Sequence, residues 1–189
     1  MPETNLTKHL LKGEKIIWSG RPGQGLIFTG QDWLMIPFSF MWGGFAVFWE
    51  TSVLAQPHAP FIMKLWGIPF MLIGAYFIAG RFVLDAWVRR GLQYVVTNNR
   101  VLISRPGPFP KLTSVSLNQL PSANLTEQAN GHGTIRFGEA SSVFGRSSNF
   151  FASWTPSLDP TPQFIAIEDA RGAFEQIQRA IQSSERADR

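Results

Sequence analysis

The chain has 189 residues, 44% of them hydrophobic, no cysteine and a formal net charge of +4. The lack of cysteine excludes disulfides, thiolate chemistry and cysteine-ligated zinc. A sequence pI near 9.9 suggests nucleic acid, but the basic excess is spread along the chain rather than gathered on one domain, so no nucleic-acid partner is expected. Residues 1–30 carry four basic and two acidic side chains, residues 31–90 four and three, and residues 91–189 nine and eight.

Residues 1–31 are a polar lead without the apolar core of a secretory signal. Thr7 to Lys12 suits a short amphipathic helix with Leu10 and Leu11 on one side. Lys15 to Trp18 suits a short strand or a membrane-surface segment. Three glycines and a proline in Ser19–Gly25 make a loop.

Residues 32–90 read as a two-span transmembrane hairpin. The first span is placed at about 33–55, where no charge lies between Asp32 and Glu50, and the second at about 61–88. A bilayer crossing takes roughly 20 apolar residues. A buried core helix would carry a polar stripe at helical spacing, and the first run has none. Gln56-Pro-His-Ala-Pro60 is too short a break for anything but antiparallel neighbours. Pro37 falls in the first turns of its helix, whereas Pro69 is placed to kink the second. Lys8, Lys12, Lys15 and Arg21 precede the hairpin, Arg81, Arg89 and Arg90 leave it, and the 51–60 loop has no Lys or Arg. Both ends are therefore expected in the cytoplasm, with the chain a multi-pass protein of the cell's inner (plasma) membrane. Trp33 to Trp49 and Trp66 to Trp87 would span about 24 Å and about 31 Å as helix, near the hydrocarbon thickness. Arg81 and Asp85, one turn apart, read as an interfacial ion pair at the cytoplasmic end.

Residues 91–189 read as a cytoplasmic α+β domain. Leu92 to Val96 alternates, Asn98-Asn99 is a two-residue loop of the kind that tolerates positive φ, and Arg100–Arg105 is the return strand. Leu112–Leu117, Ser122–Gln128, Thr134–Phe137, a short strand around Asn149–Trp154, and Gln163–Glu168 follow. Asp169 caps a closing helix to about Arg186, with Phe174, Ile177 and Ile181 on one face. Only about three residues separate Arg90 from Tyr94, so this domain is expected to be held close to the membrane.

Gly13-Glu14-x-x-x-Trp18 and Gly20-Arg-Pro22 stand before the first span. After the second come Tyr94-x-x-Thr-Asn-x-Arg100, Gly133-Thr-Ile-Arg-Phe137 and the Phe164–Ile181 segment. Together these pieces resemble the bacterial PH-like (pleckstrin-homology-like) membrane proteins. The resemblance covers most of the chain and contains no catalytic motif. It implies a PH-like β barrel or sandwich of about seven strands capped by the C-terminal helix.

His9, His58 and His132 lie in three different regions without metal-ligand spacing. The serines at 141, 142, 147 and 148 lack a nucleophile context. The Gly20–Gly25 glycines lack the lysine and helix of a phosphate loop. The sequence thus offers no catalytic residue, cofactor or metal site. It reads as a non-enzymatic membrane protein presenting an interaction domain, with membrane lipids and a protein partner or a second copy as its contacts. The Ser148–Thr155 loop and the sheet edges are the candidate docking elements. The alternatives are an anionic-lipid-sensing module, with Arg100, Arg105 and Lys111 as the candidate ligand contacts, or an accessory subunit of a membrane transporter or enzyme. Gly67, Gly74, Ala75, Ala79 and Gly80 would let the latter's helices pack closely.

Overall fold

The computed structural model describes residues 5–28, 30, 32–120, 123–128, 131–138 and 155–187. The strand expected around Asn149–Trp154, the serines at 141–148 and residues 148–154 of the candidate docking loop lie outside them. The chain forms two compact units: Leu26–Leu84, and Met1–Gly25 together with Asp85–Arg189.

The first unit is a pair of helices, α1 (Asp32–Leu54) and the start of α2 (Phe61–Gly91). Gly43 faces Gly74, and Glu50 faces Gly67, so the pair is antiparallel. A Cβ on Gly74 would stand 3.2 Å from the Gly43 Cα, which is why small residues occupy this seam. The seam buries Ser39, Gly43, Ala46 and Glu50 of α1 and Gly67 and Gly74 of α2. Pro37 and Pro69 both lie within helix. The irregularity in α2 is a π-helical turn at Tyr76–Gly80, well past Pro69. Hydroxyls of α1 bond back to its own carbonyls, Ser39 to Met35 at 2.6 Å and Ser52 to Phe48 at 2.7 Å.

Among the described residues one helix, α2, is long and apolar enough to cross a membrane. α1, expected as the other span, does not meet that mark. Trp33, Trp42, Trp49, Pro37, Ser39 and the Gly43-Gly44 pair dilute its aliphatic content.

The second unit is α+β. Among the described residues it has seven strands in two open antiparallel sheets. The four-stranded sheet runs β1 (Ile16–Gly20), β2 (Gln93–Thr97), β3 (Arg100–Arg105), β4 (Lys111–Ser116). The three-stranded sheet runs β5 (Ala123–Glu127), β6 (Gly133–Phe137), β7 (Gln163–Ile167). The polar lead is thus part of the β unit. β1 pairs with β2, and Leu6, from the 3-10 turn Asn5–His9, is fully buried with Val95 and Leu102. The helix pair is an insertion between the first and second strands of one sheet.

β2 and β3 pair with Val96 opposite Val101, leaving Asn98-Asn99 as the loop. Ala166 is the one non-glycine residue with positive φ among those described. The hairpin turn expected at Asn98-Asn99 is formed, but without the positive φ that asparagine tolerates. Lys15 shapes the loop instead: its N–H donates to Asn98 Oδ1 at 2.8 Å, and Asn98 N–H donates to its carbonyl at 3.1 Å.

Phe164 holds the core of this unit. Its ring lies 4.5 Å from Tyr94, 5.1 Å from Phe137 and 5.4 Å from Trp18, so one side chain of β7 ties β1, β2 and β6 together. Tyr94 is fully buried and its hydroxyl accepts the Ile165 N–H at 3.1 Å. Burial pushes its pKa well above the ordinary value of 10.0. Helix α3 (Ala170–Ala187) packs on β5 and β6. It is capped by Asp169, whose Oδ1 accepts the Gly172 N–H at 2.9 Å. Its buried stripe is Ala170, Ala173, Ile177 and Ala180, whereas Phe174 and Ile181, expected on that face, are half-buried. Alanines bring the helix axis close to the sheet and leave the larger side chains at the margin.

β7 carries a bulge opposite β6. Ala166, at φ 46°, turns its carbonyl out to accept the Gly23 N–H at 2.8 Å. A Cβ on Gly23 would stand 2.6 Å from that oxygen. Gly23→Ala is expected to cost about 1–3 kcal/mol by overpacking, read as a shift in the urea midpoint with an unchanged m value.

Candidate functional site

The three candidate contacts do not form one cluster. Arg100 and Arg105 open and close β3, about 17 Å apart at strand rise. Lys111 opens β4 directly opposite Arg105.

Arg105 and Lys111 line a small hollow of about 40 Å³ with Thr113 and Asp159. Like charges facing across strands repel, and Arg105 is turned away. Its Nε donates to Phe109 O at 2.8 Å and its Nη1 to Ser157 O at 2.9 Å. Burial lowers its pKa. Asp159 adds negative charge, so Lys111 is the one exposed cation of that hollow, which suits a phosphate poorly.

Arg100 is engaged at the other end of the strand. Its Nε meets Glu14 Oε1 at 2.9 Å, its Nη2 meets Glu14 Oε2 at 3.0 Å, and that nitrogen also donates to His9 O at 2.8 Å. Glu14 also accepts from Leu11 N–H at 2.7 Å and from the Thr97 hydroxyl at 2.8 Å. Burial alone would raise the Glu14 pKa. The hydrogen bonds from Arg100, Leu11 and Thr97, with the charge of Arg100, outweigh it and hold the carboxyl below its ordinary value of 4.5. Arg100 therefore clamps the lead onto the β2–β3 hairpin.

The expected pairing of Arg81 with Asp85 is not formed, because each has a nearer partner. Arg81 meets Asp32 at 2.6 Å, with both side chains buried, and its Nε donates to Phe77 O in the π turn at 3.1 Å. Arg81 is thus enclosed in the helix unit and does not snorkel to an interface. Asp85 meets Arg89 at 2.6 Å and accepts Ser157 N–H at 2.9 Å. Arg89, 1% exposed, also donates to Gly23 O and, at 2.6 Å, to Gly25 O. One guanidinium thus fixes the end of α2, the glycine loop and, through Asp85, the 3-10 turn Pro156–Leu158.

A polar hollow of the β unit lies beside this hub. It encloses about 470 Å³ and is lined by Trp18, Arg21, Arg90, Ile167, Glu168 and Asp169, among others. Sequence reading did not single out this site. Its two arginines are 69 residues apart, and only the docking of the glycine loop brings them to one hollow.

No protein-family model matches the chain, and neither a curated protein nor a solved structure shows significant similarity to it.

Proposed function

We propose that the protein is a non-enzymatic membrane protein. Its two helices form a hairpin in the bilayer, and its β unit is a PH-like interaction domain at the cytoplasmic face. The observation that carries this reading is the inverted helix pair. Trp33, Leu34, Phe40, Met41, Phe45 and Phe48 of α1, and Phe61, Ile62, Trp66 and Leu72 of α2, are all more than 60% exposed, while the seam buries glycine, alanine, serine and Glu50. In water such a surface would be a large unprotected apolar patch. In lipid it is the ordinary arrangement, with close packing through small residues. That exposure supports a membrane role for α1 despite its diluted composition. The four-plus-three strand arrangement with a closing helix supports the PH-like reading. Lys8, Lys12, Lys15 and Arg21 before the hairpin, and Arg89-Arg90 after it, support a cytoplasmic position for both ends.

The chain has no cysteine of its own, so single-cysteine mapping has no background. His58→Cys, in the exposed inter-helix turn, is expected to react with a membrane-impermeant maleimide in spheroplasts. Ser183→Cys, exposed on α3, is expected to react only after lysis, and the protein is expected to stay in the pellet after alkaline carbonate. Labelling of Ser183→Cys in intact spheroplasts, or release by carbonate, would rule the topology out.

A further inference from the structure

We propose that the groove lined by Arg21, Arg90, Glu168 and Asp169 binds the headgroup of an aminophospholipid: a phosphate joined through a short linker to a primary ammonium. The inference rests on the membrane reading above. Among the arginines whose side chains the structure describes, Arg81, Arg89, Arg100, Arg105, Arg136, Arg171 and Arg179 all bond within the chain. Arg21 and Arg90 make no such bond, both are exposed, and both line this groove. Guanidinium groups bind phosphate oxygens with charge-assisted, often bidentate bonds, so two of them on one hollow suit a phosphate.

The same groove carries two carboxylates. Glu168 is exposed and makes no bond within the chain. Asp169 uses one oxygen to cap Gly172 and leaves the other. A purely anionic ligand would meet repulsion there, which disfavours phosphatidylglycerol and nucleic acid alike. A zwitterion with its phosphate between Arg21 and Arg90 and its ammonium between Glu168 and Asp169 sets each of its charges beside two of opposite sign. A quaternary ammonium has no N–H to give those carboxylates, so phosphatidylcholine fits less well. The volume of about 470 Å³ lies within the range of small-molecule sites. Arg90 belongs to the last turn of α2, the helix whose apolar stretch is the proposed span, and a basic residue near an anionic lipid surface gains about 1 kcal/mol.

The test uses the purified full chain in a non-ionic detergent and native mass spectrometry. The added lipids are phosphatidylethanolamine, phosphatidylcholine and phosphatidylglycerol of one acyl composition. Phosphatidylethanolamine adducts are expected to exceed the other two at least fivefold. Arg21→Gln with Arg90→Gln should cut them about tenfold, and Glu168→Gln should erase the preference over phosphatidylglycerol. Soluble O-phosphoethanolamine should displace the lipid only in large excess; mole-for-mole displacement would assign the groove to a soluble ligand and overturn the lipid. Equal retention of the three lipids, or retention unchanged in the double variant, overturns the site. A double variant that fails to fold by circular dichroism would contradict the lack of internal partners and overturn it too. A chain that resists carbonate yet shows no headgroup preference loses this inference alone, whereas a chain released by carbonate loses the membrane reading.

Discussion

Arg89→Met is expected to destabilise the full chain by about 3–5 kcal/mol, the cost of removing one member of a buried ion pair. The methionine fills much of the space, so the loss is electrostatic rather than a cavity. Without the guanidinium, the Asp85 carboxylate stays buried with Ser157 N–H as its remaining bond. The carbonyls of Gly23 and Gly25 lose their donor at the same time. Arg89→Lys keeps the charge, but one ammonium on a flexible stem does not reach a carboxylate and two carbonyls in the geometry of a planar fork. Its cost is expected between that of methionine and wild type. Urea unfolding followed by far-ultraviolet circular dichroism reads both variants. A cost for Arg89→Met below about 1 kcal/mol, the level of a surface pair, would show that the hub does not hold the unit together.

The local signals in the sequence were strong and the long-range ones weak, and the difference is physical. Strand alternation placed β2 and β3, and Asp169 marked the start of α3, because each pattern is written in adjacent residues. β1 reads locally as either a strand or a surface segment, because its partner lies beyond the whole helix pair. The Lys15–Asn98 bond spans 83 positions. Nothing near Ile16–Gly20 says that it completes a sheet begun at Gln93.

The ion pairs show the same limit in a sharper form. Arg81, Asp85 and Arg89 stand four residues apart in turn, so helical spacing offers Asp85 two partners, with the acid-before-base order favouring Arg89. The choice is made by Asp32 from α1, which takes Arg81, and by the glycine loop, which fixes Arg89. The turn at Asn98-Asn99 is likewise decided by Lys15 rather than by asparagine's own preferences. As for the candidate site, Arg105 and Lys111 do share a hollow, but a sequence does not show that a guanidinium is already spent on carbonyls. Arg21 stands in the Gly20-Arg-Pro22 segment and Arg90 at the basic exit of the second span, and neither pattern points to a shared groove.

Arg100 separates a structural role from a lipid role most cleanly. Arg100→Ala is expected to cost about 3 kcal/mol, because the Glu14 side chain is fully buried and would keep only Leu11 N–H and the Thr97 hydroxyl. Glu14→Gln keeps the shape and leaves Arg100 partly in water, so its cost is expected to be smaller, about 1–2 kcal/mol. The pH dependence has a definite sign. The folded pKa of Glu14 is held below 4.5, so the unfolded chain binds its proton first as the solution is acidified. The pair's contribution is complete above pH 4.5 and is lost as pH falls through the lowered value. Stability against pH should therefore decline less steeply on the acid side in Glu14→Gln than in wild type. Because Arg100 lies outside the aminophospholipid groove, Arg100→Ala should also leave phosphatidylethanolamine retention unchanged at temperatures where it is folded. Loss of lipid adducts with no loss of stability would reverse the assignment: Arg100 would then be a headgroup contact, and its bonds to Glu14 would contribute little to the fold.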